Sequence, residues 1–600
     1  MTLCSSIRST LPTLYQVSGR MARMIDCHFH LWTTDHRTRD ARRHRAEQIQ
    51  AEADALGVDQ VCVIGPYALA AGYPNVYGRE TAPPRESNDI VASHVAEYPD
   101  LCLGWAQIDP RTESDAVSEF RRAVEDDGLI GLKHHFLGSQ VKLSDPLFDP
   151  IAEAAVDMGV PILEHVLHRL DPYPERYPNE SYTEDVTDLA ARYPNLTIIS
   201  AHIAGGGDWE YRIKNVREYE NVYLDISGSV RDAGIIEMAA EYLGPERLVF
   251  GTDTWFTPGV GKLKGCSLSP AEKAQIAYRI AELIPNDAAN VYSANELADR
   301  RRESRERFRA ASEPVQARLS CANAFIGEYA HRDHDASANQ LIDTMDTHGV
   351  DQSIVSATEA LLYRNVQAAN RRLNDAVAGH RDRLVPIATI NPTYAGWRDD
   401  LTVCLEEYGM HGVKLLPAYH DYDLDDPAVE SLFRVCADRD VPVFLTAVLE
   451  DQRQRHPRVR LRGFDSFGVS KWWSEEQIDQ LIDLLRECPH TDVVIADTWT
   501  AATDIATAVT HVTRHGVRLD NFVRDGATLF VLGDLNMYFT ERAADIVETI
   551  GTDHLVFGPK LPFKNFHAAY EYVKHLPVDE SILEQVRHEN LMALFECAEE

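Results

Sequence analysis

The chain has 600 residues, of which 44% are hydrophobic and 26% are charged, and its formal net charge at pH 7 is −35. This length exceeds what one hydrophobic core supports, so at least two domains are expected. The acidic balance argues against a nucleic-acid partner, because phosphate binding needs basic side chains, and no apolar run reaches the roughly 18 residues of a membrane helix. The ten cysteines show no paired spacing, which is typical of free thiols in a reducing compartment and predicts a cytoplasmic location.

Residues 1–23 are expected to form an N-terminal extension outside the fold. They contain Arg and Ser but no acidic residue, which weakly resembles a transit peptide. A disordered leader, or a start site placed too early before Met24, is the simpler interpretation. The segment lacks the apolar core of a secretion signal.

Short apolar runs separated by amphipathic stretches predict βα units in the first half, and therefore a parallel sheet. The predicted strands cover residues 24–28, 61–64, 102–108, 131–134, 161–165, 198–202, 222–226 and 248–251. Helices are predicted between them, for example over 115–125 and 150–158. Eight strands in about 275 residues are typical of a closed (β/α)8, or TIM, barrel.

The second half repeats this order. Strands are predicted over 354–356, 386–390, 412–416, 441–445, 493–496, 529–532 and 556–558. Gly131-Leu132-Lys133 corresponds to Gly412-Val413-Lys414, and Val160-Pro161-Ile162 corresponds to Val441-Pro442-Val443. The polar, Arg-rich segment 299–309 predicts a linker over 299–318, with a helix running into it as the alternative. The expected fold is therefore α/β with two tandem TIM-barrel domains, at 24–298 and 319–600.

Four histidines and one aspartate stand at the ends of predicted strands in the first half: His28, His30, His165, His202 and Asp253. In a TIM barrel the carboxyl ends of the strands share one mouth, and side chains two apart on a strand face the same way. A His-x-His pair by itself is more often structural. Three imidazoles and a carboxylate together, however, are suitable ligands for Zn²⁺ or a similar ion, with a fifth group left to handle protons.

The second half lacks these groups at the corresponding positions. Asn323 and Phe325 stand where His28 and His30 do, although an alignment shifted by one residue places Ala there instead. Thr446 replaces His165, Asp497 replaces His202 and Lys560 replaces Asp253. The chemistry is therefore expected in the first half. One hypothesis is that the Lys560 ammonium group occupies the cation position and pairs with Asp497.

The first half resembles the amidohydrolase superfamily, specifically the amidohydrolase-2 branch that includes aminocarboxymuconate-semialdehyde decarboxylase. The matching motifs span residues 24–298 and are Asp26-Cys27-His28-Phe29-His30, Glu164-His165, Ala201-His202-Ile203-Ala204-Gly205-Gly206 and Gly251-Thr252-Asp253-Thr254-Trp255-Phe256. The resemblance implies one divalent metal ion, Zn²⁺ or alternatively Mn²⁺, with His28, His30, His165 and Asp253 as its ligands. It also implies that His202 handles protons, and that Asp253 passes a proton to the leaving group.

Four further residues near the predicted mouth are expected to bind substrate: Lys133, His135, Arg169 and Trp255. Lys133 has a second interpretation as a carbamylated bridge between two metal ions, as in some superfamily members. The second half keeps Lys414 without any metal set, which favours a supporting or substrate-binding role for Lys133. Arg169 could bind a carboxylate in bidentate fashion, or it could simply face solvent.

The predicted function is that of a metal-dependent hydrolase, which uses a metal-activated water on a small carboxylated or cyclic organic substrate. Non-oxidative decarboxylation is the alternative reaction, and a non-catalytic binding or scaffold protein is the alternative from another class. The second half is predicted to pack on the first as an intrachain pseudo-dimer, with a homodimer as a further option. Alternatively, it binds a ligand of its own through Lys414, Tyr419 and His420.

Overall fold

The computed structural model describes residues 24–31, 38–66, 81–112, 114–167, 178–203, 205–285, 292–446, 448–450, 454, 475–496, 527–533, 547 and 551–596. The strands of the first half are β1 Met24–His30, β2 Val58–Ile64, β3 Cys102–Trp105, β4 Leu132–His134, β5 Ile162–Glu164, β6 Ile198–Ser200, β7 Val222–Asp225 and β8 Leu248–Val249. Those of the second half are β9 Ser320–Ile326, β10 Gln352–Ala357, β11 Leu384–Pro386, β12 Ala388–Thr389, β13 Val413–Leu415, β14 Val443–Thr446, β15 Val493–Ala496, β16 Thr528–Leu532 and β17 Leu555–Phe557.

The eight strands of the first half form a closed parallel barrel. β1, β2 and β3 pair in sequence order, as do β4 to β8. A parallel bridge between Ala106 and Leu132 joins β3 to β4. The ring closes where the Cys27 amide donates to the Phe250 carbonyl at 2.9 Å. Each predicted strand is present, and the differences are confined to its ends.

Helices connect the strands of the first half on the outside of the barrel. They are α1 Arg39–Leu56, α2 Pro84–Glu97, α3 Ser114–Arg121, α4 Phe136–Ser139, α5 Asp149–Met158, α6 Thr183–Arg192, α7 Trp209–Asn215, α8 Ile235–Leu243, α9 Phe256–Gly265, α10 Pro270–Tyr278, α11 Ile280–Leu283 and α12 Ala294–Ala311. Local signals explain their ends. The Thr38 hydroxyl accepts from the Ala41 amide at the start of α1, and Gly57 ends that helix with a φ of 82°.

The second half has the same barrel order. Its helices are α13 Ala338–His348, α14 Gln367–Val377, α15 Trp397–Thr402, α16 Pro417–His420, α17 Pro427–Ala437, α18 Glu475–Glu487, α19 Phe566–Lys574, α20 Glu580–Glu584 and α21 Asn590–Glu596. The strand predicted over 386–390 is divided into β11 and β12 at Ile387, whose amide donates to the Val355 carbonyl on β10. A π-helical turn at Val403–Glu407 matches one at Arg122–Asp126 in the first half. The repeat therefore extends to irregular features.

The segment predicted to begin the linker is part of a packed helix. α12 runs over Ala294–Ala311, and Phe308 on it is fully buried in the core of the first half. Arg300 approaches Asp59 to 3.5 Å, and its guanidinium lies 5.0 Å from the centre of the Tyr292 ring. The composition suggested a linker because the exposed face of this helix is rich in charged residues. Its opposite face packs on the core of the first half.

The two halves meet through equivalent helices. α9 and α19 each follow the last strand of their barrel, and they pack directly against each other. Gly261 on α9 permits this close approach, because a Cβ atom there would lie 2.3 Å from the His567 carbonyl oxygen on α19. Lys264 and Glu571, both nearly fully buried, form an ion pair of 3.2 Å across the same contact. Contact between equivalent elements is typical of two-fold packing.

Eight cysteines lie in the part of the chain that the structure describes, and all eight are buried free thiols. Among the helices in these ranges, none combines the length and the apolar character needed to cross a bilayer.

Candidate metal centre

The structure brings the four strand-end histidines and Asp253 together at the carboxyl end of the first barrel. His28 and His30 lie on β1, and the other groups follow β5, β6 and β8. One ligand atom each of His28, His202 and Asp253 lies within 4.8 Å of the other two. All four imidazoles are buried, and the Asp253 side chain is 15% exposed. These groups therefore form a single cluster at the mouth.

His28, His30 and Asp253 direct polar atoms toward one another. His28 Nε2 lies 3.0 Å from His30 Nε2, and Asp253 Oδ1 lies 3.3 Å from His30 Nε2 and 3.7 Å from His28 Nε2. A neutral imidazole has one donor and one acceptor nitrogen. This close approach of two imidazole nitrogens and a carboxylate oxygen is the arrangement that a bound cation would stabilise.

His165 and His202 form the other side of the cluster. His165 Nδ1 lies 3.0 Å from His202 Nε2, and the centres of the two rings are 4.8 Å apart. His202 Nδ1 lies 3.7 Å from Asp253 Oδ2, which links this pair to the first group. Glu180 lies behind His165, with 3.7 Å between Oε1 and Nε2.

Asp225 and Ser227 hold the imidazoles from below, and the sequence reasoning did not single them out. The Asp225 carboxylate accepts from His28 Nδ1 at 2.7 Å and from the Ser227 hydroxyl at 2.6 Å. The Ser227 hydroxyl uses its proton to donate to Asp225. It can therefore only accept from His202 Nδ1, which lies 3.2 Å from Ser227 Oγ and acts as the donor. His202 then keeps its lone pair on Nε2. The sequence feature that could have indicated Asp225 is its position as a carboxylate near the end of the strand predicted over 222–226.

Burial keeps these imidazoles neutral. Desolvation, reinforced by the Lys133 charge, lowers the pKa of His28 to about 4 despite the opposing effect of Asp225. Desolvation and the neighbouring His28 and His165 likewise hold the pKa of His202 well below its usual value. Burial alone would raise the pKa of Asp225, but its hydrogen bonds from His28 and Ser227 outweigh this and keep it low. Neutral imidazoles held by a carboxylate are the form in which histidine binds metals.

The backbone at two of these positions adopts a left-handed conformation. His202 has a φ of 61° and Asp253 a φ of 56°. Arg212, which is fully buried, donates to the His202 and Ala201 carbonyls and so supports the first of these turns. The Thr254 hydroxyl accepts from the His30 amide at 2.9 Å and ties the second turn to β1. Strained backbone of this kind is typical of functional sites.

A family model described as amidohydrolase matches the chain twice, over residues 25–292 and 323–596. These two matches include most of the sequence. The chain belongs to the amidohydrolase family. The family is metal-dependent and consists of enzymes, and the tandem arrangement predicted from the sequence is confirmed.

Solved structures with similar folds each match about half of this chain. 5-Carboxyvanillate decarboxylase from Sphingomonas paucimobilis is 15% identical, with 47% of this chain and 99% of that chain covered and a TM-score of 0.36. 2,6-Dihydroxybenzoate decarboxylase from Rhizobium is 18% identical, with coverages of 44% and 98% and a TM-score of 0.32. A probable 2-pyrone-4,6-dicarboxylic acid hydrolase from Acinetobacter baumannii is 17% identical, with coverages of 46% and 98% and a TM-score of 0.33. No curated protein sequence matches the chain significantly.

Three of the four predicted substrate-binding residues lie in the described part of the chain, and Arg169 lies outside it. Lys133 is buried on β4, and its Nζ atom has no hydrogen-bond partner among the described residues. Desolvation lowers its pKa to about 8, while Asp253 and other nearby carboxylates act in the opposite direction. The His135 ring centre lies 4.0 Å from that of His165. Trp255 immediately precedes α9.

The second barrel has different groups in the corresponding place. The Lys414 ammonium group donates to Asn323 Oδ1 at 2.7 Å, and its Nζ lies 4.9 Å from the centre of the Phe325 ring. Lys560 Nζ donates to the Val448 carbonyl at 2.9 Å. The predicted partner of Lys560, Asp497, lies outside the described residues, so that pairing stays a hypothesis. His420 Nε2 lies 2.9 Å from the Ala360 carbonyl, to which it donates.

Proposed function

We propose that the first barrel is a metal-dependent hydrolase that acts on a small carboxylated or cyclic organic substrate. The observation that carries the proposal is the convergence of His28, His202 and Asp253, with His30 and His165 beside them. The donor set fits one divalent ion, because His28 is oriented by Asp225 so that Nε2 faces the cluster. Imidazole ligands suit Zn²⁺, while a carboxylate ligand also accommodates Mn²⁺.

We propose one role for each residue of the cluster. His28, His30, His165 and Asp253 would hold the ion, which when bound would lower the pKa of water toward about 7 and stabilise negative charge on oxygen. His202, with its lone pair on Nε2, would accept a proton from the attacking water. Asp253 would carry a proton toward the leaving group, and the 3.7 Å between its Oδ2 atom and His202 Nδ1 supports this role. Lys133 and His135 would bind the substrate, with Arg169 and Trp255 at the mouth.

Non-oxidative decarboxylation is the second candidate reaction, and Lys133 is the observation that favours it. A buried ammonium group without a hydrogen-bond partner among the described residues suits a substrate carboxylate. The two reactions would use the same metal centre. They differ in their products, because hydrolysis adds an oxygen atom from water, whereas decarboxylation releases CO₂ and adds a proton to carbon.

Metal content tests the proposal first. We expect about one Zn²⁺ or Mn²⁺ per chain in the wild type and loss of the ion in His28→Ala/His30→Ala. Asn323→Ala, at the position in the second barrel that corresponds to His28, is the matched control and should keep the ion. A wild type that binds no metal even after reconstitution would favour the non-catalytic binding or scaffold function. If metal is present, arene carboxylates and lactones assayed in ¹⁸O-labelled water distinguish the two reactions by oxygen incorporation and CO₂ release.

The second half is proposed to be a partner that has lost its metal site and packs on the first as an intrachain pseudo-dimer. The contact between α9 and α19 supports this role. We propose two domains: the first extends the predicted 24–298 to include α12, which packs on its core, and the second covers 319–600. A homodimer of the whole chain stays a further hypothesis, which sedimentation of the purified protein would test.

A further inference from the structure

Lys262 is a buried lysine that neither proposed reaction uses. It lies on α9 with a relative exposure of 3%, and its Nζ atom donates to the carbonyls of Ile226 and Gly228, each at 2.8 Å. Desolvation lowers its pKa to about 7, although Asp225 and Asp253 act in the opposite direction. Burying an ammonium group is costly, so these two hydrogen bonds indicate a specific structural role.

The two carbonyls flank Ser227, the residue that holds the imidazoles. Ser227 donates to Asp225 through its hydroxyl and its amide, at 2.6 Å and 2.8 Å. Asp225 in turn accepts from His28, and Ser227 accepts from His202. A shift of the 226–228 turn would therefore move the groups that orient both imidazoles.

The far end of the same loop is held by the second half of the chain. The Asn565 amide donates to the Arg231 carbonyl at 2.7 Å, and the Ala233 amide donates to the Phe563 carbonyl at 2.9 Å. Between these two bonds, Asp232 and Lys564 form an antiparallel bridge, and their side chains form an ion pair of 2.5 Å. Residues 226–233 are thus fixed at one end by Lys262 and at the other by residues 563–565.

Asn565 joins the two attachments. Its Nδ2 atom donates to the Lys262 carbonyl at 3.2 Å, while its Oδ1 atom accepts from the Ala568 amide at the start of α19. Asn565 therefore contacts the 226–233 loop through its own main-chain amide, and it contacts the main chain of Lys262 through its own side chain. Because these groups are buried and hydrogen-bonded, they have little freedom to rearrange independently.

We propose that the second barrel positions the metal centre of the first, with Lys262 and Asn565 as the positioning residues that fix the 226–228 turn beneath His28 and His202. This inference rests on the proposed metal site. It gives the second barrel a role that does not need ligands of its own. The connection runs from the Asn565 side chain to the Lys262 main-chain carbonyl, and from the Lys262 ammonium group to the two carbonyls that flank Ser227. Ser227 in turn contacts His202 directly and His28 through Asp225.

Lys262→Met in the full-length protein is the first test, with Co²⁺ as the probe. We expect its Co²⁺ affinity to fall about tenfold, as when a group that orients metal ligands is lost, and its visible absorption bands to shift. Lys273→Met is the matched control, since Lys273 is also a buried lysine that donates to a main-chain carbonyl, that of Lys264 at 2.7 Å, but does not contact this loop. Wild-type Co²⁺ affinity and spectrum in Lys262→Met would overturn the proposal.

Asn565→Ser provides a second test from the other barrel, because serine can still cap α19 but cannot reach Lys262. Amide exchange of residues 226–233 in metal-free protein should be faster in Lys262→Met and in Asn565→Ser than in the wild type. Exchange unchanged in both variants would also overturn the proposal. A wild type that binds no Co²⁺ would contradict the proposed function instead, and the exchange measurement would still decide whether the second barrel fixes this loop.

Discussion

Asp253 and Lys560 follow the last strand of their barrels in the same left-handed backbone conformation, with φ values of 56° and 55°. The next residue in each barrel is bonded to the first strand in a similar way. His30 donates its amide to the Thr254 hydroxyl, and Phe325 donates its amide to the Leu561 carbonyl, both at 2.9 Å. The second barrel has therefore kept the backbone of the site while a carboxylate has been replaced by an ammonium group.

Replacing Lys560 with Met should destabilise the second barrel. The substitution removes the donor to the buried Val448 carbonyl and, if Asp497 is the partner of Lys560, leaves a carboxylate without its counter-ion. Losses of this kind cost about 1–3 kcal/mol or more. Thermal unfolding measures the effect, and metal content should be unchanged. An unchanged melting temperature would contradict the Lys560–Asp497 pairing.

Asp225→Asn should weaken metal binding without unfolding the barrel. The side-chain amide of this variant cannot accept from both His28 and Ser227 as a carboxylate does. The imidazoles of His28 and of His202, which Ser227 contacts, therefore lose their orientation. We expect metal affinity to fall by about 10–100-fold, as measured by competition with a chelator. Asp59→Asn is the control, because Asp59 lies at the start of β2, away from the mouth of the barrel, and accepts from the Tyr278 hydroxyl. Equal affinities in the wild type and Asp225→Asn would exclude this role.

Gly261→Ala should disrupt the contact between the two halves. The new methyl group would approach the His567 carbonyl to 2.3 Å, and backbone atoms cannot move aside as a flexible side chain can. Overpacking of this kind costs about 1–3 kcal/mol, which exceeds the gain in helix propensity. Gly379→Ala, where the added methyl group meets nothing within 4 Å, is the control. Chemical denaturation should show a loss of stability for Gly261→Ala alone.

Glu571→Gln should be strongly destabilising because it leaves the Lys264 charge buried. Both side chains are 3% exposed and lie 3.2 Å apart. Burial alone would raise the pKa of Glu571, but Lys264 and other nearby cations lower it to about 2. Removing one partner of such a pair costs about 3–5 kcal/mol. The double variant Lys264→Met/Glu571→Leu should recover most of this loss, and a double variant as unstable as Glu571→Gln would contradict the pairing argument.

Two histidines at the interface should make stability depend on pH. Desolvation, assisted by Lys273 for His348 and by His348 for His567, lowers the pKa of His348 to about 4 and that of His567 to about 3. The unfolded chain, in which histidine has a pKa of about 6.5, binds protons that the folded chain does not. The free energy of unfolding should therefore fall as pH drops from about 6.5 to 4.

The variant His567→Gln isolates one of these groups. Its slope of stability against pH near pH 5 should be smaller than that of the wild type by about 1.4 kcal/mol per pH unit, which corresponds to one proton. The exposed His44→Gln is the control. Equal slopes for the wild type and His567→Gln would show that His567 is charged in the folded protein.

The barrel order was predictable because it depends on local patterns. Apolar runs at regular spacing indicated eight strands in the first half, and the repeat of Gly-Leu-Lys as Gly-Val-Lys indicated the second barrel. Strand ends were less certain, since the pattern does not show where hydrogen bonding stops. The polar surface of α12 suggested a linker, because composition does not show that Phe308 is buried in the first core.

The sequence by itself determined the tandem barrels and the histidines and aspartate at the strand ends of the first one, since strand periodicity places those groups in a common mouth. Only the tertiary structure decided that Asp225 orients His28, which is 197 positions away in the chain. The same is true of the support that Lys262 and Asn565 give to the 226–228 turn. A buried polar group must find a partner wherever the chain brings one. That partner depends on barrel closure and on the packing of the two halves, which no local pattern contains.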